Sequence, residues 1–228
     1  NAMVNTLWIS LLVSVLQVVS CTFVAYGFAR YEFPLKKFWF ACVILMIVLP
    51  VQSYSISLFL NFRFFDVLGI FKATTGAPLN LIGTPIPQFL MSMTATVLKN
   101  GLYIYLMRQF FRGLPKELEN SAYIDGAGYW RTMLEIIFPM AKPSIITVIL
   151  FNFLSFWNEY IIIKTLVTDK ELWTLPAGLL NLMQAQQSAA EYGPMYAGLV
   201  LVMLPVLILY ICVQKNLTKG MTVGGLKG

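Results

Sequence analysis

Residues 4–29 and 195–213 contain no aspartate, glutamate, lysine or arginine and are apolar almost throughout. Runs of this kind match the roughly 20 residues that a helix needs to cross a hydrocarbon core. Three further stretches, 38–60, 88–109 and 144–163, share the character, with charge entering only at Lys99, Arg108 and Glu159. Hydrophobic residues make up 58% of the chain and charged residues 11%, where a soluble domain carries about 25% charge. The sequence therefore predicts an all-α integral membrane protein, a single transmembrane domain over residues 1–228 with five transmembrane helices and the lipid bilayer as its solvent.

The net charge of +6 reports topology rather than a nucleic-acid partner. Arg30, Lys36 and Lys37 share one connector, and Arg108, Arg112, Lys116, Arg131 and Lys142 lie in or beside the polar stretch at 113–143. Lys215, Lys219 and Lys227 sit in the tail. If the spans alternate, all of these fall on one side, as the positive-inside rule expects of the cytoplasmic face. Arg63, Lys72, Lys164 and Lys170 fall on the other. Cys21, Cys42 and Cys212 all lie in apolar spans without metal-ligand spacing, and the chain has no histidine, so no metal site is expected. No G-x-x-x-x-G-K-S/T phosphate loop occurs, so the chain is not expected to be an enzyme that hydrolyses ATP by that route.

The polar stretch at 113–143 holds four of the ten acidic residues, Glu117, Glu119, Asp125 and Glu135. Pro115 suits the first turn of a helix, and the two glutamates favour its positive end. Gly126 can adopt positive φ, which predicts a helix stop and a turn there. A second amphipathic piece is expected over residues 128–138, closed by Pro139 and Pro143. The result is a helix, a glycine turn and a second helix.

Asp125-Gly126-Ala127, eight residues, Ile136, two residues and Pro139 resemble the cytoplasmic signature loop of permease subunits of bacterial ATP-binding-cassette importers, E-A-A-x-x-D-G-A-x8-I-x-x-P. The opening triplet reads Asn120-Ser121-Ala122 instead. Glu117, three residues earlier, shares the face of Asn120, whereas Glu119 lies about 100° round the helix, so Glu117 is the better stand-in for the missing acid. The resemblance implies a loop that docks on a separate ATPase, with Asp125 and Gly126 fixing its turn, Ile136 packing its second helix and Pro139 ending it. It implies two ATP-binding subunits that hold the ATP and magnesium, a second homologous permease and an extracytoplasmic solute-binding protein. The location implied is a bacterial cytoplasmic membrane, with the loop and C-terminus cytoplasmic. Members of the carbohydrate branch usually have six spans, the extra one N-terminal, and the glycine-rich basic tail resembles theirs. An importer for another solute (amino acid, phosphate or polyamine) stays open, as does an ion-coupled carrier or a channel, although repeated halves are not evident.

Elsewhere the chain offers candidates for a translocation path or gate. Lys99 and Asn100 lie within the third span, with Lys99 roughly 13 Å from Arg108 along a helix. An ionisable group at such depth points to function by default, or to an interface where it meets a carbonyl or partner chain. Asn152 and the Trp157-Asn158-Glu159-Tyr160 segment lie in the fourth span. There an interfacial aromatic belt and a sugar contact or outer gate both fit. On straight helices Lys99 and Glu159 would differ in depth by roughly 10 Å, too far for direct pairing. Pro50 and Pro205 predict kinks. Helices near the outer interface are expected at about residues 62–71 and 172–183.

Overall fold

The computed structural model describes residues 2–96, 99–186 and 193–225. Lys227 and the side chains of Cys212, Lys215 and Lys219 lie outside the described residues. No strand is present among the described residues, apart from one isolated antiparallel bridge between Phe65 and Leu79.

The first helix, α1 (Ala2–Arg30), runs unbroken through the bundle. Its two faces are inverted relative to a soluble protein. Ser10, Ser14, Gln17 and Thr22 are buried, while Leu11, Val15 and Val19 on the outer face are about half exposed, at 53%, 53% and 51%. Such a helix has its polar stripe in the protein and its apolar stripe outward, the arrangement that a lipid solvent selects.

The second predicted span is broken rather than kinked. α2 (Lys36–Val48) ends before Pro50, whose extended backbone leads into a 3₁₀ turn (Val51–Tyr54) and then α3 (Ser55–Arg63). The two arms diverge by 106°. Proline removes a ladder donor and pushes the preceding residue out of helical geometry, and here Leu49 is extended (ψ 118). The helix expected at 62–71 does not form as one piece. α3 ends at Arg63, the Phe65–Leu79 bridge follows, and α4 (Ile70–Thr75) is a short turn inside that loop.

The third span also breaks. α5 (Ile86–Met93) and α6 (Asn100–Gly113) are separate helices. The Thr96 N–H donates to the Met91 carbonyl (2.9 Å) and that of Ala95 to Ser92 (3.4 Å), with Ala95 at φ +53 and Lys99 at φ +61. This is the double-bonded stop that normally recruits glycine at the left-handed position.

The hairpin that follows comprises α7 (Glu117–Ile124), α8 (Tyr129–Arg131), a π-helical turn (Thr132–Ile137) and α9 (Phe138–Met140). Pro139 does not end the second helix, which runs on to Met140. Its missing N–H is absorbed by the π register, in which the Phe138 N–H bonds back to Met133. α10 (Lys142–Trp157) then departs at 73°, with Pro143 in its first turn. The fourth span stops at Trp157 and resumes as α11 (Ile161–Leu166). A 3₁₀ turn (Lys170–Leu172) and α12 (Leu175–Gln186) precede α13 (Gly193–Gly225), so helix continues into the tail. α13 exposes a largely apolar surface, with Leu201, Leu207 and Ile211 among its exposed side chains. Among the described residues, only α1 and Gly193–Ile211 qualify as continuous spans by length and composition, with up to two more if each bent pair is counted as one.

α1 packs against α5, α6, α10 and α12. α2 approaches α6 so closely at Gly101 that a Cβ there would overlap the Val43 carbonyl oxygen and lie 2.9 Å from Ile47 Cγ1. Gly101→Val is expected to cost about 1–3 kcal/mol through overpacking, read as a lowered melting temperature in detergent. Gly113→Ala, with no neighbour within 4 Å of its Cβ, should stay within about 0.5 kcal/mol of the parent. Ala95→Gly removes a left-handed non-glycine residue and should stabilise by about 1 kcal/mol in the same assay.

Candidate functional site

Two places concentrate polar chemistry. The first is the hairpin. α7 terminates in a Schellman motif, in which the Gly126 N–H donates to Tyr123 (3.1 Å) and the Ala127 N–H to Ala122 (2.9 Å), with Gly126 at φ +78. Open space surrounds Gly126, so the turn needs glycine for its backbone angle and not for room. Asp125 is the exposed cap residue, and buried Ala122 faces Ala127 across the motif.

Glu119 ties the hairpin to the bundle. Its carboxylate lies 2.8 Å from Arg30 Nε and accepts from the Tyr26 hydroxyl at 3.2 Å, while Arg30 Nη2 donates to the Leu114 carbonyl at 3.0 Å. Both side chains are nearly withdrawn from solvent, at 4% for Arg30 and 11% for Glu119. Burial and the Glu119 charge push the Tyr123 phenol up, and burial does the same for Tyr129, so both stay neutral. The second helix turns Met133, Ile137 and Ala141 into the core, with Ile136 partly buried beside them. Its outer side shows Trp130 (63% exposed) and Leu134 (51%), and Ile124 at the end of α7 is 86% exposed. Arg131 and Glu135 pair there at 2.8 Å.

The second place lies at the far ends of α6 and α10. Lys99, Ser155, Phe156 and Glu159 line a small cavity of ≈ 40 Å³. Lys99 Nζ donates to Ser155 Oγ (3.3 Å), and the Tyr103 hydroxyl shares a 3.0 Å bond with the same oxygen. Glu159 accepts the Ile162 N–H at 3.0 Å, capping α11.

The sequence profile of a family described as binding-protein-dependent transport system inner membrane component matches residues 18–223. This chain belongs to that family. The inner membrane component is 32% identical over 225 residues to the galactooligosaccharides transport system permease protein GanQ of Bacillus subtilis, covering 99% of this chain and 73% of that one. It is 28% identical over 200 residues to the diacetylchitobiose uptake system permease protein NgcG of Streptomyces coelicolor, covering 88% of this chain and 61% of the relative. It thus spans under two thirds of the NgcG length. One chain of the crystal structure of a bacterial ABC transporter involved in the import of the acidic polysaccharide alginate shares the fold, with a TM-score of 0.69 and 19% identity, covering 94% of this component and 73% of that chain.

Several residues singled out in the sequence of this inner membrane component sit elsewhere than a straight-helix reading places them. Lys99 and Glu159 line one cavity beside the breaks in their spans, and no ion pair joins them among the described residues. Trp157 is fully buried and its indole donates to the Val202 carbonyl of α13 at 3.0 Å, so it is neither a belt residue nor part of the cavity. Asn152 is buried and donates to the Ser14 carbonyl (3.4 Å), and Asn100 is buried, accepting from Gln17 and from Cys21. Asn158 is exposed and donates to Leu154. Glu117, Asn120 and Ser121 are exposed, as is Pro139. The sequence reading missed Tyr26 and Arg30, whose four-residue spacing on α1 was the available signal, and Tyr103 and Ser155.

Removing one partner of a buried pair strands the other charge. Glu119→Leu alone or Arg30→Met alone is expected to destabilise by about 3 kcal/mol, and the double variant by less than the sum, as measured by thermal melting of the purified component. Additive losses would show that the two groups do not act as a pair.

Proposed function

We propose that this inner membrane component is the transmembrane subunit of an ATP-driven importer for a sugar or oligosaccharide. In this reading it contributes part of the translocation path, and its hairpin at 113–143 docks on a separate ATPase. The observation that carries the reading is the hairpin's two-sidedness. One side is fastened inward by Glu119, Met133 and Ile137, while the other presents Ile124, Trp130 and Leu134 to solvent. Large apolar side chains on a polar loop outside the apolar spans mark a protein partner.

The implied assembly has two ATP-binding subunits that hold ATP and magnesium, a second homologous permease and an extracytoplasmic solute-binding protein. The hairpin and C-terminus face the cytoplasm of a bacterium. Closure of the ATPase dimer around ATP would move the docked hairpins, opening the path toward the binding protein, and hydrolysis would reset it. This component carries motion and the partner carries the chemistry. The carbohydrate class is drawn from the relatives, GanQ and NgcG, named for galactooligosaccharides and diacetylchitobiose.

Ile124→Asp changes an exposed side chain and should leave the component folded in the membrane. Co-purification of an ATPase from native membranes and ATP-driven sugar uptake should both be lost. Gly126→Val should also abolish uptake, through the strained turn. Unimpaired uptake in both variants would refute the docking role, and uptake driven by an ion gradient without ATP would refute the importer.

A further inference from the structure

The three broken spans bring their breaks to one place. Tyr54 belongs to the 3₁₀ turn that joins α2 to α3, Lys99 opens α6, and Glu159 lies between α10 and α11. Tyr54 packs on the apolar cluster that contains Phe156 and Ile162, and Phe156 lines one cavity with Lys99 and Glu159. Within a bilayer, irregular backbone is tolerated where it is buried in protein or lines a water-filled cavity. Two left-handed non-glycine residues, Ala95 and Lys99, are maintained at one of these breaks, and strain of this kind concentrates at functional sites.

We propose that the cavity walled by Lys99, Ser155 and Glu159, with Tyr103 behind Ser155, is a contact site for the hydroxyl groups of a neutral, polyhydroxylated solute. The wall chemistry selects that class. An ammonium and a carboxylate face the same space, so a solute of either formal charge meets its own sign on one wall. A hydroxyl group both donates and accepts, which lets it bridge the Lys99 and Glu159 walls. The Ser155 hydroxyl donates to the Phe151 carbonyl at 2.8 Å and accepts from Tyr103 and Lys99, so it holds the Lys99 ammonium at the cavity wall and leaves the ammonium's other hydrogens for the solute. The volume of ≈ 40 Å³ corresponds to about three water positions. It therefore admits one hydroxymethyl-sized arm, with the ring lying across the exposed side where Lys99 emerges.

The inference rests on the carbohydrate-import reading above, and the experiment separates the two. The assembled importer with its solute-binding protein is placed in nanodiscs, and a panel of neutral mono- to trisaccharides is screened for stimulated ATP hydrolysis. The best sugar then serves as the probe. In a Ser155→Cys variant the introduced thiol is labelled with a methanethiosulfonate reagent, over the background of the parent. The sugar is expected to slow labelling. Adding Lys99→Met or Glu159→Gln should raise the half-protecting sugar concentration by about tenfold or more, the effect of one charge-assisted hydrogen bond. Retained co-purification of the ATPase serves as the folding check. If no neutral sugar stimulates hydrolysis, the carbohydrate reading fails and the site falls with it. If a sugar stimulates but does not protect, or protection ignores both added substitutions, the contact site alone is overturned. A thiol that never labels overturns it as well, since solute would lack access.

Discussion

The arrangement depends on how α1 disposes of its polar side chains. A helix that must lie in lipid cannot turn serine, threonine and glutamine outward, and no hydrophobic force drives it against its neighbours, because lipid tails are as apolar as leucine. Interhelical hydrogen bonds and close packing take over. The Asn100 side-chain oxygen of α6 accepts from both Gln17 and Cys21, Asn152 of α10 donates to the Ser14 carbonyl, and Ser20 donates to the Ser92 carbonyl just inside α5. Each contact fixes a neighbour's height along α1 as well as its direction. Three helices that are separate in sequence acquire a common register from a single polar stripe.

The same helix sets the position of the hairpin. At its last turns α1 presents Tyr26 and Arg30, and both reach Glu119. Around them Phe111 and Phe138 pack edge-on to the Tyr26 ring, with centroids 5.4 and 6.5 Å away. A carboxylate this withdrawn from water is stabilised only while it is paired and hydrogen-bonded, so Glu119 couples the location of α7 to the end of α1. The hairpin is therefore a rigid projection of the bundle.

What the sequence revealed and what it hid follow one physical division. Gly126 and Ala95 make the same helix stop, with the same pair of backbone bonds, at φ +78 and +53. The first is legible because glycine advertises the left-handed conformation. The second is invisible because alanine is a good helix former, and only tertiary packing holds it there. The long uninterrupted runs at 4–29 and 195–213 needed no such context. Glu119 was singled out in the sequence, but its burial was not legible there, since it is decided by two residues almost a hundred positions away. Trp157 was ambiguous for a similar reason. An aromatic near a membrane boundary has an interfacial explanation that is sufficient until a specific acceptor, the Val202 carbonyl, is seen.

The connectivity between hairpin and cavity gives the broken spans a mechanical meaning. α6 leads from Lys99 at the cavity down to Gly113, where the hairpin begins, and α10 leads from Lys142, where the hairpin ends, up to Trp157 beside Ser155 and Glu159. These helices are 14 and 16 residues long, about 21 and 24 Å at the helical rise. No flexible loop intervenes on either route. In the importer reading a displacement at the hairpin would reach the cavity through two stiff rods, one carrying Lys99 and the other Ser155, which are hydrogen-bonded to each other there. The breaks border the cavity on both routes, between α5 and α6 and between α10 and α11. The rods can thus tilt without dragging the outer segments with them, which unbroken spans through the same positions would not permit.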